Sequence, residues 1–458
     1  MANHSAQLVE HLLALSPALL HGPLGASARS ALLDTLGCGI YGAIQPWGKI
    51  LREQIAHEGS RGKATLFGST STVAPSRAAL ANGTASHGFE LDDIIQGALV
   101  HPGACVVPAA LAVAEETGAS GERLLLAIIA GYEMMSRLGW ALGAEHNTRG
   151  FHTTGVVGPI AAAVAVGVIM NLPRDMVLSA IGIACSSAGG IKAFTQGNGG
   201  MVKRMHAGRA AETGVLACEL AQRGFTGPLA GVDGHFGLLE VIGGSDTAVQ
   251  ALTSDLGKEY AISKVWVKAY PCCGLIHSIS HALEAIKLES ALTPADVKRI
   301  VVHTSKRAVE HNGDPNPRET MAAQYSIPYC AGAAVVKNPR DPAAFDGASL
   351  ADPEIRRVSA LTQLRIDEKM DALYPAHFAA RVEVELNNRR QFERTVIDPH
   401  GTAADACDAA EIEAKFRLLA NSVTEPMANA ARADRVVAAV RGLHGANTVR
   451  ELSAALHG

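Results

Sequence analysis

The N-terminal half of the chain, up to about residue 260, carries apolar side chains at helical spacing with few interruptions. Apolar helical patterns cover residues 26–41, 75–89 and 121–142, and an Ala-rich apolar run covers residues 156–170. Aromatic residues make up only 4% of the chain, whereas a β-sandwich would need more aromatic and β-branched side chains. This part of the sequence therefore predicts closely packed helices.

The pattern changes after this region. Residues 260–267 and 299–304 are β-rich, and each predicts a strand. Alternating segments at 381–386 and 391–396 flank two asparagines and two arginines, which predicts a hairpin with one polar face.

Helical spacing returns near the C-terminus, at residues 405–419 and 429–443. The predicted fold is mainly α: a large all-helical domain formed by residues 1–265 and 403–458, with a smaller α+β lid domain inserted at 266–402.

Composition and charge narrow the class of protein. A formal net charge of −4 without a basic run argues against a nucleic-acid binder. The run at 156–170 is too short to span a bilayer, and the first residues lack the plan of a signal peptide. The eight cysteines follow no disulfide framework. We therefore expect a cytoplasmic protein with reduced thiols.

The segment 268–277 concentrates reactive side chains. It contains Lys268, a tyrosine, the adjacent Cys272 and Cys273, and His277, and a helical pattern follows it. Reactive groups before a helix N-terminus meet the positive end of the helix dipole, which suits an anionic substrate. The alternative is a turn whose cysteines fill the core, because free cysteine is often buried.

Four further clusters carry polar chemistry, and each has a plain structural alternative. They are an acidic turn and histidine (residues 87–101), a histidine before an apolar helix (150–155), a Gly-rich loop and basic helix start (189–209), and a tyrosine pair (325–330). The alternatives are a solvated acidic loop, N-capping by threonine, a flexible loop with a solvated basic turn, and packing tyrosines. Lys203 and His206, three residues apart, share one helical face.

Metal and cofactor motifs are poorly represented. His277 and His281 are spaced i,i+4, but no His-Glu-x-x-His or Cys-x-x-Cys accompanies them. No dinucleotide fingerprint follows a predicted strand. We therefore predict neither a metal nor an organic cofactor.

Taken together and in order, these clusters resemble the MmgE/PrpD family, which includes 2-methylcitrate dehydratase, cis-aconitate decarboxylase and an iminodisuccinate epimerase. The resemblance rests on the segments 87–93, 101–103, 150–153, 203–208, 268–271 and 326–329, and it extends through nearly the whole chain. It implies a helical domain, a smaller lid, a homodimer, an active site in the cleft between domains, and no metal or organic cofactor.

The resemblance also implies the site residues. The catalytic candidates are Asp93, His101, His152, Lys203 and Cys273, and the substrate-binding candidates are Lys268, Tyr329, His206 and Asp92. The acidic position is open, because the turn has an extra residue, so that Glu90 and Asp92 stand beside Asp93.

The chain departs from the decarboxylase branch of this family at Cys273, where that branch has a histidine two residues after the proline. A cysteine thiol cannot act as a general acid in place of a protonated imidazole, because the ordinary pKa values of the two groups differ. It can serve as a carbon base or acid if its pKa is lowered, and we expect Lys268 and the helix N-terminus to lower it.

The sequence thus predicts a cofactor-free lyase that removes a proton next to a carboxylate of a small di- or tricarboxylate, most like a 2-methylcitrate-type dehydratase. An epimerase with two bases and a cis-aconitate-type decarboxylase are the enzymatic alternatives. A carboxylate-binding helical dimer without catalysis is the non-enzymatic one. We expect no nucleic-acid or membrane partner.

Overall fold

The computed structural model describes residues 3–196, 200–423 and 430–457. The chain divides into two compact units. The helical unit comprises Met1–Gly88, Asp92–Val265 and Asp408–Gly458, and the mixed unit comprises Phe89–Leu91 and Trp266–Cys407. Asn429, where the last predicted helix begins, and residues 197–199 of the Gly-rich loop lie outside the described residues. The prediction of a mainly α fold is confirmed.

The helical unit begins with eleven helices and one short antiparallel β pair in its described residues. The helices are α1 (His4–Leu13), α2 (Pro23–Ala43), α3 (Pro46–His57), α4 (Pro75–Ser86), α5 (Pro102–Thr117), α6 (Gly121–Leu142), α7 (Glu145–Thr148), α8 (Thr153–Ile169), α9 (Arg174–Cys185), α10 (Met201–Gln222) and α11 (Leu238–Ile242). The paired strands are β1 (Ala64–Thr65) and β2 (Thr72–Val73).

Helix α8 is the centre of the helical unit. It packs against α5, α6, α9 and α10, and nearly all of its side chains are buried. Small residues allow this close approach: a Cβ added to Gly214 of α10 would lie 2.4 Å from Ala162 Cβ of α8. Helices α4 and α10 are equally close, since a Cβ on Gly208 would lie 2.2 Å from the Leu80 carbonyl oxygen. The helical unit therefore has few aromatic residues because its helix backbones approach each other too closely to leave room for large side chains.

Helix α6 is, within the described ranges, the one helix long and apolar enough to cross a membrane by length and composition. Inside the fold, 89% of its apolar window is buried. The interior of the helix also holds the buried ion pair between Glu133 and Arg137, at 2.6 Å. The length and apolar composition of α6 are therefore those of a core helix of the helical unit.

The mixed unit is built on a four-stranded sheet. Its helices are α12 (His277–Ser290), α13 (Lys306–Asn312), α14 (Thr320–Gln324), α15 (Ile327–Val336), α16 (Gly347–Ala351), α17 (Pro353–Ala360) and α18 (Glu368–Leu373). Its strands are β3 (Val297–Thr304), β4 (Thr362–Ile366), β5 (Ala380–Leu386) and β6 (Gln391–Val396). The strand order is β4-β3-β5-β6, with β3 and β4 parallel and the other pairs antiparallel.

The chain then returns to the helical unit through α19 (Ala409–Asn421), α20 (Ala430–Gly442) and α21 (Arg450–His457). Helix α19 begins with a reciprocal capping box between Asp408 and Glu411, which satisfies two backbone donors at the helix start. Helix α19 packs against α2, and Lys415 forms a buried ion pair with Asp34 at 2.6 Å.

The predicted hairpin and the predicted strand at 299–304 are confirmed. Strands β5 and β6 pair in antiparallel register from Glu385↔Gln391 to Ala380↔Val396. Side chains along β5 alternate between buried and half-buried positions, as a sheet with one covered face requires.

The predicted strand at 260–267 is wrong. Residues Ala261–Lys264 form a 3₁₀ turn instead. The backbone N–H of Ala261 donates to Glu133 Oε2 at 2.6 Å inside the core, so a side-chain carboxylate takes the place of a neighbouring strand. A β-rich composition does not reveal such a partner, because it comes from a distant helix.

Candidate active site

Four histidines come together in the helical unit because the ends of four helices meet there. His87 caps the C-terminus of α4, His101 and His152 are the N-cap residues of α5 and α8, and His206 lies in the second turn of α10. The backbone N–H of His101 donates to Thr154 Oγ1 at 3.3 Å, which ties the start of α5 to the start of α8.

Glycines make this convergence possible. A Cβ on Gly83 would lie 2.9 Å from Gly208 Cα, so α4 and α10 almost touch. A Cβ on Gly155 would lie 2.4 Å from the Gly189 carbonyl oxygen, and the backbone N–H of His152 donates to the Gly190 carbonyl at 2.9 Å. The positions of the rings therefore depend on backbone contacts that any larger residue would obstruct.

Asp92 joins two of the histidines. Its Oδ2 atom lies 2.6 Å from His87 Nδ1 and 3.1 Å from His101 Nδ1. The centroids of the two rings are 4.8 Å apart. A carboxylate beside Nδ1 favours a proton on that nitrogen, which leaves Nε2 of His101 as the atom that can exchange protons.

His87, Asp92 and His101 are close enough together to be compared with a metal site, but one pair among them is closer than two ligands of one ion. Ligands of a tetrahedral zinc ion lie roughly 3.3 Å apart, given bonds of about 2.0 Å. The 2.6 Å separation of His87 Nδ1 and Asp92 Oδ2 is instead a hydrogen-bond distance. We interpret the group as a hydrogen-bonded relay.

His152 and His206 form the second half of the cluster. Their Nδ1 atoms are 2.9 Å apart, a distance at which one nitrogen donates a hydrogen bond to the other. Phe194 packs against both rings, at centroid distances of 5.6 and 5.9 Å. His152 also stacks on His87 at 5.7 Å, so the two halves are continuous.

Burial keeps these imidazoles neutral. It lowers the pKa of His87 to about 4 even though Asp92 opposes the shift. Burial also lowers the pKa of His152 well below its usual value, and the nearby charges of His87 and Lys203 lower it further. The pKa of His206 falls for the same reasons, burial first and Lys203 second. Near pH 7, His87, His152 and His206 can therefore accept protons.

Lys203 lies in the first turn of α10 and is buried, with 4% of its surface exposed. Its charge lowers the pKa of three of the histidines, so its ammonium group lies near their rings. A buried cation beside neutral imidazoles attracts an anionic substrate to the groups that can move its protons.

The structure separates the roles of the two predicted aspartates. Asp92 contacts His101, whereas Asp93 accepts hydrogen bonds from the Gly103 backbone at 2.9 Å and from the Tyr132 hydroxyl at 2.6 Å. Burial raises the pKa of Asp93 to about 7. The contacts of Asp93 hold the start of α5 in place, and Asp92 is the aspartate that meets the histidines.

The third acidic alternative, Glu90, belongs to the mixed unit. Its Oε2 atom lies 3.4 Å from Lys268 Nζ, and both side chains are buried. Glu90 adopts a positive φ of 57°, which is unfavourable for a residue with a Cβ. The Gln324 amide fixes this arrangement by donating to the carbonyls of Phe89 and Pro271.

The expectation of a lowered pKa for Cys273 is wrong. Burial raises the pKa of this thiol to about 11, the negative charge of Glu90 adds to the shift, and the attraction of Lys268 is too weak to reverse it. The positive charge of Lys268 is already balanced by Glu90 at 3.4 Å. Cys273 is therefore a protonated thiol at neutral pH.

Tyr329 lies in the interior of the mixed unit, and its predicted contact with substrate stays a prediction. It is fully buried, and its hydroxyl donates to the Ala344 carbonyl at 2.8 Å. Ser326 caps the helix that carries it by accepting from the Tyr329 N–H. The Tyr329 hydroxyl therefore donates its hydrogen bond to a residue of the mixed unit itself.

The structure thus brings together five of the predicted residues in the helical unit, and it adds His87. The five are Asp92, His101, His152, Lys203 and His206. His87 opens the acidic cluster in the sequence, but it received no role there. One signal could have identified His87: it stands at the C-terminus of a helix, and an aspartate follows it five residues later.

Comparisons with known proteins identify the family of this chain. The MmgE/PrpD N-terminal domain matches residues 7–250, and the MmgE/PrpD C-terminal domain matches residues 270–440. The chain belongs to the MmgE/PrpD family.

Several relatives share most of their length with this chain. A cis-aconitate decarboxylase-like protein, oryM, of Aspergillus oryzae is 29% identical over all of this chain and 98% of its own length. A cis-aconitate decarboxylase of Aspergillus terreus is 28% identical over 87% of this chain and 85% of its own length. The cis-aconitate decarboxylase of Homo sapiens is 26% identical, covering 86% of this chain and 83% of its own length.

Proposed function

We propose that this protein is a lyase that acts on a small di- or tricarboxylate by moving protons at a carbon next to a carboxylate. The observation that carries the proposal is the buried cluster of neutral imidazoles beside the Lys203 ammonium group. Such a reaction needs a base for a carbon-bound proton and a positive group for the developing charge, and the cluster offers both.

In this proposal His152 is the base. It is neutral near pH 7 because burial and nearby positive charge lower its pKa. When His152 donates its Nδ1–H to His206 Nδ1, at 2.9 Å, the ring is oriented and Nε2 is the nitrogen that accepts a proton from substrate. Positioned acid–base groups of this kind contribute roughly 10²- to 10⁴-fold to rate.

His101 delivers the second proton. Asp92 holds its Nδ1 at 3.1 Å, and the His87 ring holds Asp92 from the other side at 2.6 Å. When Nε2 of His101 has taken up a proton from solvent, it can donate that proton to a leaving hydroxyl group or to the carbon that loses a carboxylate. The two histidines thus supply one acceptor and one donor within a single buried cluster.

Lys203 binds a substrate carboxylate and stabilises the negative charge that builds up when the proton leaves. Because the side chain is buried, its charge acts at low dielectric. It therefore stabilises a nearby negative charge more strongly than the charge of an exposed lysine would. The expected substrate is therefore a polyanion with a carboxylate next to the reacting carbon.

Two reactions within this class have specific support. The names of the relatives favour decarboxylation of cis-aconitate. The presence of Cys273 where the decarboxylase branch has a histidine favours a different outcome, such as dehydration of a 2-methylcitrate-type substrate. Both reactions use the same proton-transfer groups.

The test is a substrate panel followed by NMR in D₂O. Purified protein is incubated with citrate, 2-methylcitrate, cis-aconitate and N-substituted aspartates. Loss of carbon dioxide identifies a decarboxylase, loss of water identifies a dehydratase, and deuterium exchange without either identifies an epimerase. The absence of turnover and of exchange with every compound would contradict the proposal.

A further inference from the structure

A second cluster of reactive side chains lies in the loop after β6, within the mixed unit and outside the groups discussed above. Cys407 Sγ lies 3.6 Å from His400 Nε2. On the other side of the ring, His400 Nδ1 lies 3.2 Å from Asp405 Oδ1. A thiol, an imidazole and a carboxylate in this order match the arrangement by which proteins activate a nucleophile.

The carboxylate selects the tautomer of the imidazole. When His400 donates its Nδ1–H to Asp405, Nε2 becomes an acceptor that faces the thiol. The Cys407 thiol can then donate its proton to Nε2, which creates a thiolate beside an imidazolium. The ring is also held from its backbone, because the His400 N–H donates to His281 Nδ1 at 3.2 Å.

The loop that carries these groups is well anchored. The Gly401 N–H donates to the Asp405 carbonyl at 2.7 Å, and the Val267 N–H donates to the Gly401 carbonyl at 3.0 Å. A Cβ on Gly401 would lie 2.0 Å from the Val267 carbonyl oxygen, so the loop lies directly against that segment. The geometry of the three groups is therefore fixed by backbone contacts.

A cation also lies near this sulfur. Arg340 pairs with Glu284 through two hydrogen bonds of 2.9 Å, and its raised pKa, caused mainly by Glu284, includes a contribution from Cys407. A guanidinium group therefore lies close enough to feel charge on this sulfur. Reactive cysteines are typically partly exposed and lie beside a histidine or another cationic group, and Cys407 is partly exposed beside His400.

The other partly exposed thiols lack these features. Three cysteines are partly exposed: Cys185, Cys273 and Cys407. Burial raises the pKa of Cys185 to about 12 and that of Cys273 to about 11. Cys185 therefore provides a matched control, a thiol of similar exposure whose pKa is raised by burial.

We propose that Cys407 is a modification site, a reactive thiol that exchanges with small disulfides and is activated by His400 and Asp405. In the exchange, His400 takes the thiol proton and the Cys407 sulfur attacks one sulfur of the disulfide. The S–S bond of the reagent breaks as the new mixed disulfide forms. The leaving thiolate then takes the proton from His400, so atoms, protons and electrons balance.

The proposal is tested by reacting the native full chain with 2,2′-dithiodipyridine between pH 5.5 and 8.5, and by mapping the labelled peptide. We expect one thiol per chain, Cys407, to react at least about tenfold faster than the other cysteines at pH 6.5, where ordinary thiols are almost fully protonated. The fast phase should vanish in Cys407→Ser and remain in Cys185→Ser. It should slow about tenfold in His400→Asn at pH 6.5, and less in Asp405→Asn.

Two results would overturn the proposal. One is that peptide mapping of the wild-type protein places the fastest label on another cysteine. The other is that His400→Asn, shown by circular dichroism to be folded, labels Cys407 at the wild-type rate throughout the pH range. Mapping of the wild-type protein gives a decision even if a variant does not fold.

Discussion

The histidine cluster of the helical unit and the Lys268–Cys273 segment of the mixed unit each contain a buried lysine beside groups that can carry protons. The electrostatic surroundings of the two lysines differ. In the helical unit, the buried His87 and His152 and the half-buried His206 are neutral beside a buried lysine. In the mixed unit, the buried lysine is balanced by Glu90 at 3.4 Å. The first arrangement leaves proton acceptors available, and the second neutralises its charges internally.

Two adjacent cysteines show how local this difference is. Burial acts on both thiols in the same direction. In Cys272 burial is outweighed by the neighbouring Cys330 and His277 side chains and by the charge of Lys268, so that the pKa of this thiol is lowered. In Cys273 burial prevails and the pKa rises to about 11. Reactivity is thus set by the partners of a side chain, and not by its place in a motif.

Breaking the charge balance of the mixed unit should have the largest effect. Glu90→Gln removes the carboxylate that balances the buried Lys268, and Lys268→Met removes the cation that balances the buried Glu90. Each single variant should lose about 3–5 kcal/mol of stability, whereas the double variant should lose much less. Thermal unfolding and urea midpoints measure this. If the double variant loses as much stability as each single variant, Glu90 and Lys268 do not neutralise each other in the folded protein.

Removing the positive charge of the helical unit should affect catalysis. Lys203→Met should lower kcat/KM for the identified substrate by roughly 10²- to 10³-fold, since it removes a preorganised charge from the developing anion. Lys258→Met, at an exposed lysine, is the control and should be close to wild type. Steady-state kinetics with a check of the unfolding temperature decides the outcome, and wild-type activity in Lys203→Met would exclude Lys203 from the site.

The two aspartates allow a sharper comparison within the helical unit. Asp92→Asn should reduce kcat on the order of 10²-fold, because His101 loses the carboxylate that orients it. Asp93→Asn should reduce kcat by less than about tenfold, since Asp93 contacts Gly103 and Tyr132. Kinetics of the two isosteric variants side by side measure this difference. The reverse order would assign the catalytic contact to Asp93.

The smallest effect concerns pH. A base must be deprotonated to act, and the pKa of His152 is lowered below its usual value of 6.5. The acid limb of the kcat/KM profile should therefore have its midpoint below pH 6.5, with full activity at pH 7. Samples pre-incubated at each pH and assayed at pH 7 control for unfolding. A midpoint above 6.5 would conflict with a buried, neutral base.

Much of the fold could be predicted from the sequence, because periodicity reports burial directly. The helices and the β5–β6 hairpin follow from apolar spacing of 3.6 and 2 residues. The predicted strand at 260–267 is wrong because the hydrogen-bond acceptor of this segment, Glu133, is a side chain 128 residues away. The homodimer and the cytoplasmic location stay predictions.

The candidate site could be predicted only in part. Motifs identify His101, His152 and Lys203, since these types at helix starts indicate proton transfer and anion binding. They do not distinguish Asp92 from Asp93, because adjacent residues in a turn point in different directions. They also misjudge Cys273, since its pKa depends on Glu90, which lies 183 residues earlier in the sequence. Such long-range electrostatics are visible only in the folded chain.

The most direct test of the central claim is deuterium transfer from D₂O, followed by NMR, in two matched variants. His152→Asn removes the proposed base from the helical unit, and Cys273→Ser replaces the raised-pKa thiol of the mixed unit by a hydroxyl of similar size. The account predicts that the wild type and Cys273→Ser introduce deuterium next to a carboxylate of the substrate or product, while His152→Asn does so at least about 10²-fold more slowly. Deuterium transfer that survives in His152→Asn and is lost in Cys273→Ser would contradict it.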